Sequence, residues 1–493
     1  MRRPILESQI AALSKETIPM HMPGHKRNLR PSPSLPYELD LTEIEGADDL
    51  HDAGGILKDA MERASLLWGS DRTWFLVGGS TCGVLAGIRA AVPFGAEIIA
   101  ARNCHRSVYH AIELGGCKAH WIIPEPVRRA GICGEITAAQ VRSAIRKHPE
   151  SAAVVLTSPT YEGVISDIRA IADICHSAKI PLIVDEAHGA HLGLYEEGGF
   201  PDGSIRCGAD LVVQSLHKTL PSMTQTALLH LQGNLIEPGE VERQLGIFET
   251  SSPSYPLMIS IDSCTELLNE RGPALFEAWK SRLDRFYEEA RQLRCIKVWM
   301  PENAKERALR KGSRRPQKAV VRDRSKILIS FQRAGLTGTA GAKLLRERYG
   351  IETEMASGAN VLAMTGCGDL DDSLRILSEA LADLDRNLSL PEPGEENPGS
   401  AGVIGPMGIP QVHAACDILT AVNSPWEEVP VKEAVNRICA EYLYAYPPGI
   451  PILAPGEYIR REHIARMKKS AGNGNRIHRT HSRSEETIAC LAE

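Results

Sequence analysis

Short, almost entirely apolar runs alternate with amphipathic stretches between about residues 50 and 290. The apolar runs predict β-strands, and the stretches between them predict helices. Strands that are apolar on both faces and separated by helical patterns indicate a mostly parallel sheet covered by helices on both sides. The predicted strands are residues 97–101, 119–123, 153–157, 181–185, 210–213 and 227–231, and the predicted helices include residues 80–92, 105–114, 137–147 and 168–178.

The pattern changes on both sides of this region. Residues 1–45 predict an arm, in which Pro19, Pro23 and Gly24 exclude a helix. Proline and glycine are frequent in residues 389–412, which is typical of a linker. We therefore predict a large domain at 46–290, a small α+β domain at 291–388, the linker, and a C-terminal domain at 413–493, whose basic tail beyond Met467 is expected to be loose.

Net charge, apolar runs and cysteine spacing exclude several classes of function. The chain has 493 residues and a net charge of −6, so it has no general attraction for nucleic acid or anionic membranes. We find no apolar run long enough to span a bilayer and no apolar signal region after the basic N-terminus. The 12 cysteines include no Cys-x-x-Cys pair, which argues against a zinc ribbon or a disulfide framework. Reduced cysteines and no export signal favour a cytoplasmic protein.

One segment, residues 305–326, is strongly basic. It could bind nucleic acid, but it has no interleaved aromatic residues and it runs into an apolar, strand-like stretch at 327–331. A solvated insertion is therefore favoured over a nucleic-acid site.

A lysine stands directly after one of the predicted strands. Ser215, His217 and Lys218 follow the apolar run 210–213, and in parallel sheets ligands bind at the carboxyl ends of the strands. The amine could form a Schiff base with a phosphorylated aldehyde while the hydroxyl and the imidazole bind its phosphate. The alternative is a solvated loop lysine, so the neighbouring motifs decide between the two.

A glycine-rich turn at residues 77–83 precedes a predicted helix rich in small residues. Glycine lets the backbone approach an anion closely, and the free amides at a helix start favour phosphate. Ser80 and Thr81 could add hydroxyl hydrogen bonds, or they could simply cap the helix.

An acid, Asp185, ends a predicted buried strand. A buried carboxylate needs a cation or a proton donor, and the protonated nitrogen of a pyridine ring is one such partner. Magnesium is the rival partner. It is disfavoured because the next polar groups include His188 and His191, which suit hard cations poorly.

Three other histidines are candidates to contact a cofactor or a metal ion. His105 follows the strand that ends at Ala101, where its imidazole could lie flat over an aromatic cofactor or serve a structural role. His21 and His25, in the arm, could suggest a metal, but nothing nearby supplies two more ligands. We therefore expect no metal site.

A glycine-rich anion site, a strand-end acid and a strand-end lysine, in this order on one sheet, are the layout of fold-type I pyridoxal-phosphate enzymes. Within that superfamily the chain resembles the bacterial ornithine/lysine/arginine decarboxylases, nearly from end to end. The matching motifs are Met-Pro-Gly-His-Lys at 22–26, Asn-Cys-His-Arg-Ser-Val at 103–108, Thr-Ser-Pro-Thr-Tyr-Glu-Gly at 157–163, Asp-Glu-Ala-His-Gly-Ala-His at 185–191, Thr-Gln-Thr-Ala at 224–227 and Tyr-Pro-Pro-Gly-Ile-Pro at 446–451.

The resemblance implies an α/β, aspartate-aminotransferase-like large domain with smaller α+β C-terminal domains. It also implies that Lys218 holds pyridoxal 5'-phosphate and that Asp185 pairs with the pyridine nitrogen. His105 would stack on the ring, and His188 would lie near the phenolic oxygen. The phosphate would be bound by Ser80, Thr81, Ser215 and His217, with Ser252 reaching a phosphate across a dimer interface.

The implied reaction is decarboxylation of a basic amino acid, arginine, lysine or ornithine, to the corresponding polyamine-type amine and carbon dioxide. The distal cation of such a substrate needs an anion, because it would otherwise be desolvated without a partner. Glu433 resembles in position a family glutamate with that role. A helix-surface glutamate paired with Arg437 at i+4 is an equal alternative.

Another fold-type I reaction, that of an aminotransferase or an acyl-transferring synthase, is the nearest alternative function. A non-catalytic regulatory homologue is less favoured because Lys218, Asp185 and His105 are all present. The resemblance is to the short forms that lack a receiver-like N-terminal domain. It implies a homodimer or a dimer of dimers, with no nucleic-acid or membrane partner.

Overall fold

The computed structural model describes residues 5–300, 321–390, 412–445, 449–472 and 476–492. The helices in these ranges are α1 (Ile5–Glu16), α2 (Ile56–Trp68), α3 (Gly79–Ala91), α4 (Arg106–Leu114), α5 (Ala138–Lys147), α6 (Ile168–Ser177), α7 (Leu216–Thr219), α8 (Pro238–Phe248), α9 (Tyr255–Ala290), α10 (Gly338–Tyr349), α11 (Ser373–Asn387), α12 (Ile418–Val422) and α13 (Arg461–Gly472).

The strands fall into a first group before α9 and a second group after it. The first group is β1 (Arg72–Leu76), β2 (Glu97–Ala101), β3 (Lys118–Ile122), β4 (Pro126–Val127), β5 (Ile132–Cys133), β6 (Val154–Thr157), β7 (Leu182–Asp185), β8 (Leu211–Ser215) and β9 (Ala227–Leu231). The second group is β10 (Lys297–Val298), β11 (Lys326–Ser330), β12 (Met355–Ser357), β13 (Asn360–Met364), β14 (Trp426–Pro430), β15 (Leu443–Ala445), β16 (Pro451–Leu453), β17 (Ile477–Arg479) and β18 (Thr487–Leu491).

The central sheet has seven strands in the order β1-β9-β8-β7-β6-β2-β3. The pairs between β8 and β3 are all parallel, whereas β9 runs antiparallel to both of its neighbours, β8 and β1. The predicted mostly parallel sheet is therefore confirmed, and each predicted strand and helix of this region occurs within a residue or two of its expected bounds. Strand β1 was not predicted.

The strands in the middle of this sheet are buried because their sequences are mostly apolar. Every residue of β7, β8 and β9 is buried, and helix α3 packs directly on β8 and β9. A polar side chain in such a strand loses its hydration and needs a hydrogen-bond partner there, as Gln214 of β8 and His230 of β9 have. Polar side chains that can meet a ligand are therefore expected at the strand ends, where β7 and β8 close with Asp185 and Ser215.

A second, antiparallel sheet has the order β10-β11-β13-β12. It follows the long helix α9, and α10 packs on its strands β12 and β13 while α11 packs on α9. This is an α+β unit, and it places β12 and β11 close enough to the large sheet to supply side chains to its edge. The division of the chain at residues 45, 290 and 412 stays a prediction.

The expectation of a loose tail beyond Met467 is wrong. Strand β18 pairs with β14 and β17 pairs with β15, and Ile488, Ala489 and Cys490 are fully buried. Buried Glu441 stabilises this packing because its carboxylate accepts hydrogen bonds from the backbone N–H groups of residues 481, 482 and 489. The residues between Met467 and β18 are mostly polar or basic, and the sequence pattern therefore did not predict these short strands.

The expected solvated insertion at 305–326 is also wrong for the part that is described. The described ranges do not include residues 305–320. They also leave out most of the expected linker 389–412 and residues 446–448 of the last family motif. Lys326 is fully buried and forms an ion pair with Asp323, Nζ to Oδ2, at 2.8 Å. Arg322 donates to the backbone oxygens of Trp299 and Glu162. Charge alone does not distinguish such structural cations from solvated ones.

Among the described residues, no helix has both the length and the apolar character needed to cross a bilayer.

A buried arginine joins the C-terminal region to the central sheet. Arg102, directly after β2, is 1% exposed and donates to the backbone oxygens of Pro451 and Ile452. Its guanidinium forms an ion pair with Glu457 at 3.1 Å and lies over the rings of Tyr109 and Trp121. Burying two charges costs desolvation free energy, so removing either partner would leave the other charge buried and unpaired.

Replacing Glu457 with alanine should lower the free energy of unfolding by about 3–5 kcal/mol, because Arg102 would keep a buried charge without its partner. Denaturant unfolding followed by fluorescence measures the change. Glu462→Ala, at an exposed position of α13, is the matched control and should unfold like the wild type. Equal stability of the two variants would contradict the docking role of Arg102.

Candidate active site

Parallel pairing brings the ends of β7 and β8 together. Asp185 is the register partner of Val213, and Ser215 ends β8 two residues later. The chain then turns at once into the short helix α7, which carries Lys218. The Nζ of Lys218 lies 3.0 Å from the Nε2 of His188. Strand-end residues from two neighbouring strands thus share one pocket.

The environment of Lys218 favours the neutral amine. Burial lowers the pKa of Lys218 and the positive charge of Lys326 adds to this, while the carboxylates of Asp185 and Glu354 oppose it. A larger neutral fraction makes the amine a better nucleophile toward a carbonyl. This is the chemistry that a cofactor-binding lysine requires.

His188 is held in the same pocket. Burial, followed by the charges of Lys218 and Lys326, lowers its pKa well below the ordinary value, so the ring is neutral at physiological pH. Its Nε2 faces Lys218, whereas its Nδ1 is buried and has no hydrogen-bond partner within the described ranges. The ring of Tyr161 lies 4.5 Å from the ring of His188, between centroids. An unpartnered buried nitrogen indicates room for a further polar group.

The acid at the end of β7 also lacks a full set of partners. Asp185 is 5% exposed and accepts a hydrogen bond from the backbone N–H of Ala187 at 3.2 Å. Burial raises its pKa, and the charge of Lys218 and this N–H oppose the rise without cancelling it. A cation brought close to Asp185 would relieve the cost of burying its charge.

His105 lies at the start of α4, where it is the N-cap residue. Its Nδ1 lies 2.9 Å from the Oγ of Ser107, which fixes the ring. Burial, with the nearby charge of Lys218, lowers the pKa of His105 to about 4. A neutral, oriented imidazole beside Lys218 is compatible with stacking on a cofactor ring; that role stays a prediction.

The residues expected to bind phosphate lie around the ends of β1 and β8. Ser215 is fully buried, and no residue in the described part of the chain forms a hydrogen bond with its Oγ. His217 places its Nδ1 2.9 Å from the backbone oxygen of Thr226. This contact leaves its Nε2 for a ligand, and an anion there requires that nitrogen to carry a proton. Ser80 is half-buried and Thr81 is exposed in the first turn of α3.

A carboxylate already lies at the glycine-rich turn. The Oε2 of Glu249 accepts hydrogen bonds from the backbone N–H groups of Val77 and Gly78, at 3.2 and 3.1 Å. A Cβ atom on Gly78 would lie 2.7 Å from the Oε1 of Glu249, so a larger residue there would displace this carboxylate. The turn can therefore bind a negatively charged oxygen through its amides, as the sequence indicates.

Together these groups fit pyridoxal phosphate. The pocket offers an amine of lowered pKa, a buried acid in need of a cation, and, at the end of β8, a buried hydroxyl that has no hydrogen-bond partner among the described residues. These are partners for an aldehyde, a pyridinium nitrogen and a phosphate oxygen.

Ser252 and Glu433 are not joined to this cluster by any described contact. Ser252 is exposed, after α8. Glu433 is also exposed, and it lies on a turn after β14 rather than on a helix. The expected helix surface at Glu433 is therefore wrong, and Arg437 binds Glu427 at 2.6 Å. The roles expected for Ser252 and Glu433 stay predictions.

The structure adds residues that the sequence reasoning did not assign. The hydroxyl of Tyr161 donates to Glu354, and Lys326 donates to the backbone oxygen of His188 at 3.0 Å. Tyr161 belongs to the family motif 157–163, so the sequence could have indicated that it lies near the site. Glu354 and Lys326 come from the second sheet region, and no local pattern connects them with β7.

A possible metal-binding cluster lies elsewhere, at Glu97, His120 and His148, whose ligand atoms are within 4.8 Å of one another. The rings of His120 and His148 are stacked, with centroids 3.4 Å apart and planes at 11°. Stacked rings direct their in-plane lone pairs in parallel, so one ion cannot lie in both ring planes. The two oxygens of Glu97 also already bind Lys118 and His120. This arrangement fits an ion-pair network better than a metal centre.

A second buried acid lies beside Asp185. Glu186 is 1% exposed, and its carboxylate accepts hydrogen bonds from Ser204 Oγ at 2.6 Å and from Gln214 Nε2 at 2.7 Å. Burial raises the pKa of Glu186 to about 7, and Asp185 contributes to the rise, although these hydrogen bonds oppose it. The folded protein therefore holds this proton more tightly than the unfolded chain does.

Comparisons with solved structures identify the fold. The lysine decarboxylase of Francisella novicida has the same fold, with a TM-score of 0.80 at 19% identity, covering 99% of this chain and 81% of that chain. Alanine–glyoxylate aminotransferase from Nostoc, a fold-type I enzyme, shares it more loosely, with a TM-score of 0.50 at 16% identity, covering 66% of this chain and 86% of that chain. The expected fold-type I architecture is confirmed.

Sequence comparison specifies the family. Residues 17–372 match the family model of the Orn/Lys/Arg decarboxylase major domain, and residues 410–470 match the C-terminal domain of the same family. The protein named arginine decarboxylase in Bacillus subtilis is 32% identical over 468 residues, which cover 94% of this chain and 92% of that protein. The chain belongs to the Orn/Lys/Arg decarboxylase family, as its motifs indicated.

The raised pKa of Glu186 predicts how stability changes with pH. The protonated Glu186 carboxyl contributes to the free energy of unfolding, and this contribution is fully present below about pH 4.5. It is lost as pH rises through about 7, because the folded protein must then release a proton that it binds more tightly than the unfolded chain does. Replacing Glu186 with glutamine should remove this loss. Relative to the wild type, the variant should gain on the order of 3 kcal/mol between pH 5 and pH 8.

Denaturant unfolding of both proteins at the two pH values measures this gain. Glu196→Gln, at an exposed position, is the control and should follow the wild type. Parallel pH profiles for wild type and Glu186→Gln would show that Glu186 does not bind the proton.

Proposed function

We propose that the protein is a pyridoxal-phosphate-dependent decarboxylase of a basic amino acid. The observation that carries the proposal is the position of Lys218, 3.0 Å from His188 at the sheet edge that also presents Asp185. Membership in the Orn/Lys/Arg decarboxylase family supports the reaction type. When bound, the cofactor would supply a conjugated ring that accepts the electrons of the bond between Cα and the carboxylate.

Lys218 would hold the cofactor through its amine, which its lowered pKa favours. Asp185 would bind the pyridine nitrogen and keep it protonated, and this proton would in turn lower the cost of the buried carboxylate. After carbon dioxide leaves, Cα needs a proton. Lys218 and His188 are candidates to deliver it, since their nitrogens are in hydrogen-bond contact.

His105 would cover one face of the ring, and His188 would lie near the phenolic oxygen. Both imidazoles are held neutral by burial, so neither would compete with the cofactor ring for the negative charge of Asp185. The phosphate ligands would be Ser80, Thr81, Ser215 and His217.

We also propose a homodimer, or a dimer of dimers, in which Ser252 reaches the phosphate site of a second copy. Large apolar side chains in the N-terminal arm are exposed, among them Ile18 at 85% and Met20 at 89%. Such a surface favours burial against another chain. Sedimentation equilibrium distinguishes a dimer from a monomer.

The cysteines support a reducing compartment, and we propose a cytoplasmic location. All 12 cysteines are present as free thiols, which is usual where thiols stay reduced. Cell fractionation of the source organism, with antibodies to the protein, tests this location.

The proposed substrate is arginine, lysine or ornithine, because relatives carry the names arginine decarboxylase and lysine decarboxylase. Its distal cation needs an anion in the pocket, and Glu433 remains the sequence-based candidate. Transamination and acyl transfer would use the same lysine and acid, but no described contact favours them over decarboxylation.

Purified protein loaded with pyridoxal phosphate should release carbon dioxide and the matching amine from at least one of arginine, lysine and ornithine. Replacing Lys218 with alanine should abolish turnover and the absorbance of the lysine-bound cofactor, because the other amine near His188, that of Lys326, is held in an ion pair with Asp323. Mass spectrometry of the product and a visible spectrum measure the two effects.

Glu352→Gln, at an exposed surface position, is the control and should keep both signals. Consumption of a keto acid in place of carbon dioxide release would identify an aminotransferase. A colourless protein that cannot take up the cofactor would indicate a non-catalytic homologue. Activity surviving in Lys218→Ala would contradict the proposed mechanism.

A further inference from the structure

Tyr161 and Glu354 join the second sheet region to the pocket. Tyr161 follows β6, and Glu354 directly precedes β12. The ring of Tyr161 lies 4.5 Å from the ring of His188, which contacts Lys218 through its Nε2. The hydroxyl of Tyr161 donates a hydrogen bond to the Oε1 of Glu354. A continuous path of contacts therefore runs from the reactive amine to this carboxylate.

The backbone holds Glu354 in place. Its N–H donates to the backbone oxygen of Leu362 at 2.9 Å, and the next residue, Met355, is buried as the first residue of β12. Tyr161 and Met355 both belong to an apolar cluster with Val164 and Leu328. The carboxylate thus extends from a packed strand rather than from a loose loop.

The charge of Glu354 remains available to a ligand. In the described part of the chain, no basic side chain forms an ion pair with it, although its charge acts on Lys218. The residue is exposed, so its carboxylate is not consumed in the protein core. By contrast, Asp185 is buried beneath Lys218 and is the acid suited to the cofactor ring.

We propose that Glu354, oriented by Tyr161, binds the distal amine or guanidinium of the substrate. The inference rests on the proposed decarboxylation and names the residue that would recognise a basic side chain. A substrate whose α-amine lies near Lys218 carries its second cation three or four methylene groups away. Those methylene groups would lie along the ring of Tyr161, and the cation would reach a carboxylate that lacks a basic partner among the described residues. Leaving the cation unpaired would cost its full desolvation.

This role differs from the sequence-based expectation for Glu433. Glu433 lies on an exposed turn of the C-terminal region, and no described contact leads from it to Lys218. Among the described residues, side-chain contacts connect Glu354 to the reactive amine, through Tyr161 and His188. The two assignments predict opposite results for matched glutamine substitutions.

Replacing Glu354 with glutamine should raise KM for the basic amino acid roughly ten- to hundredfold, the value of a hydrogen bond to a charged group. The kcat should change much less, because Lys218 and Asp185 are untouched. Tyr161→Phe, which removes the donor but keeps the ring, should raise KM by a smaller factor. Glu352→Gln is the control, because Glu352 is exposed and pairs with Arg346 on the surface at 2.7 Å.

Amine binding to the cofactor-loaded protein gives a readout without turnover. Agmatine, cadaverine and putrescine each carry two cations, whereas pentylamine carries one. The wild type should bind at least one of the three more tightly than pentylamine, and Glu354→Gln should lose this preference without binding pentylamine more weakly. Glu354→Asp, which keeps the charge, should retain the preference, and the cofactor spectrum reports folding in every variant.

Two results would overturn the assignment. One is an unchanged KM and amine preference in Glu354→Gln, particularly if Glu433→Gln loses both. The other is equal weakening of diamines and pentylamine, which would show a structural role. Wild-type protein that releases no carbon dioxide would refute the proposed function separately, and the amine-binding comparison would still decide the role of Glu354.

Discussion

The parallel pairing of β7 with β8 is the constraint on which the candidate site depends. Both strands are buried along their whole length, so their polar side chains that can meet a ligand are those at the strand ends. In a parallel pair these ends lie on the same side of the sheet, which places Asp185 and Ser215 next to each other. The turn into α7 then adds Lys218 without any contribution from distant sequence.

Burial at this edge controls the chemistry of the groups collected there. It lowers the pKa values of Lys218 and His188 and raises that of Asp185. Each shift moves the group away from its charged form, and each would be relieved by a ligand of opposite charge or by a proton donor. Several buried groups with shifted pKa values in one pocket indicate a binding site more strongly than any single motif does.

The central sheet and its helices could be predicted because apolar runs and capping residues are local signals. The capping box of Thr137 with Gln140 at the start of α5 is one example. The strand-end residues Asp185, Ser215 and Lys218 could be located for the same reason, since a strand end is visible in sequence. Their proximity followed from the parallel topology, although their individual roles remain proposals.

Residues supplied by distant elements could not be predicted. Glu354 and Lys326 reach the pocket from the second sheet, and their positions depend on how that sheet packs rather than on local pattern. Strand β18 falls in the segment that was expected to be a loose tail, because its partner β14 is distant in sequence. Cys490 lies opposite Glu427, 63 residues earlier, and Ile488 lies opposite Val429, 59 residues earlier. Long-range pairing, not intrinsic propensity, determines these elements.

The central claim is that Lys218 holds the cofactor, and covalent trapping tests it most directly. Protein loaded with pyridoxal phosphate is reduced with borohydride, digested and mapped by mass spectrometry. The account predicts one dominant reduced adduct, on the peptide that carries Lys218 and His217. A dominant adduct on another lysine, such as the buried Lys326 beside His188, or the absence of any adduct would contradict it.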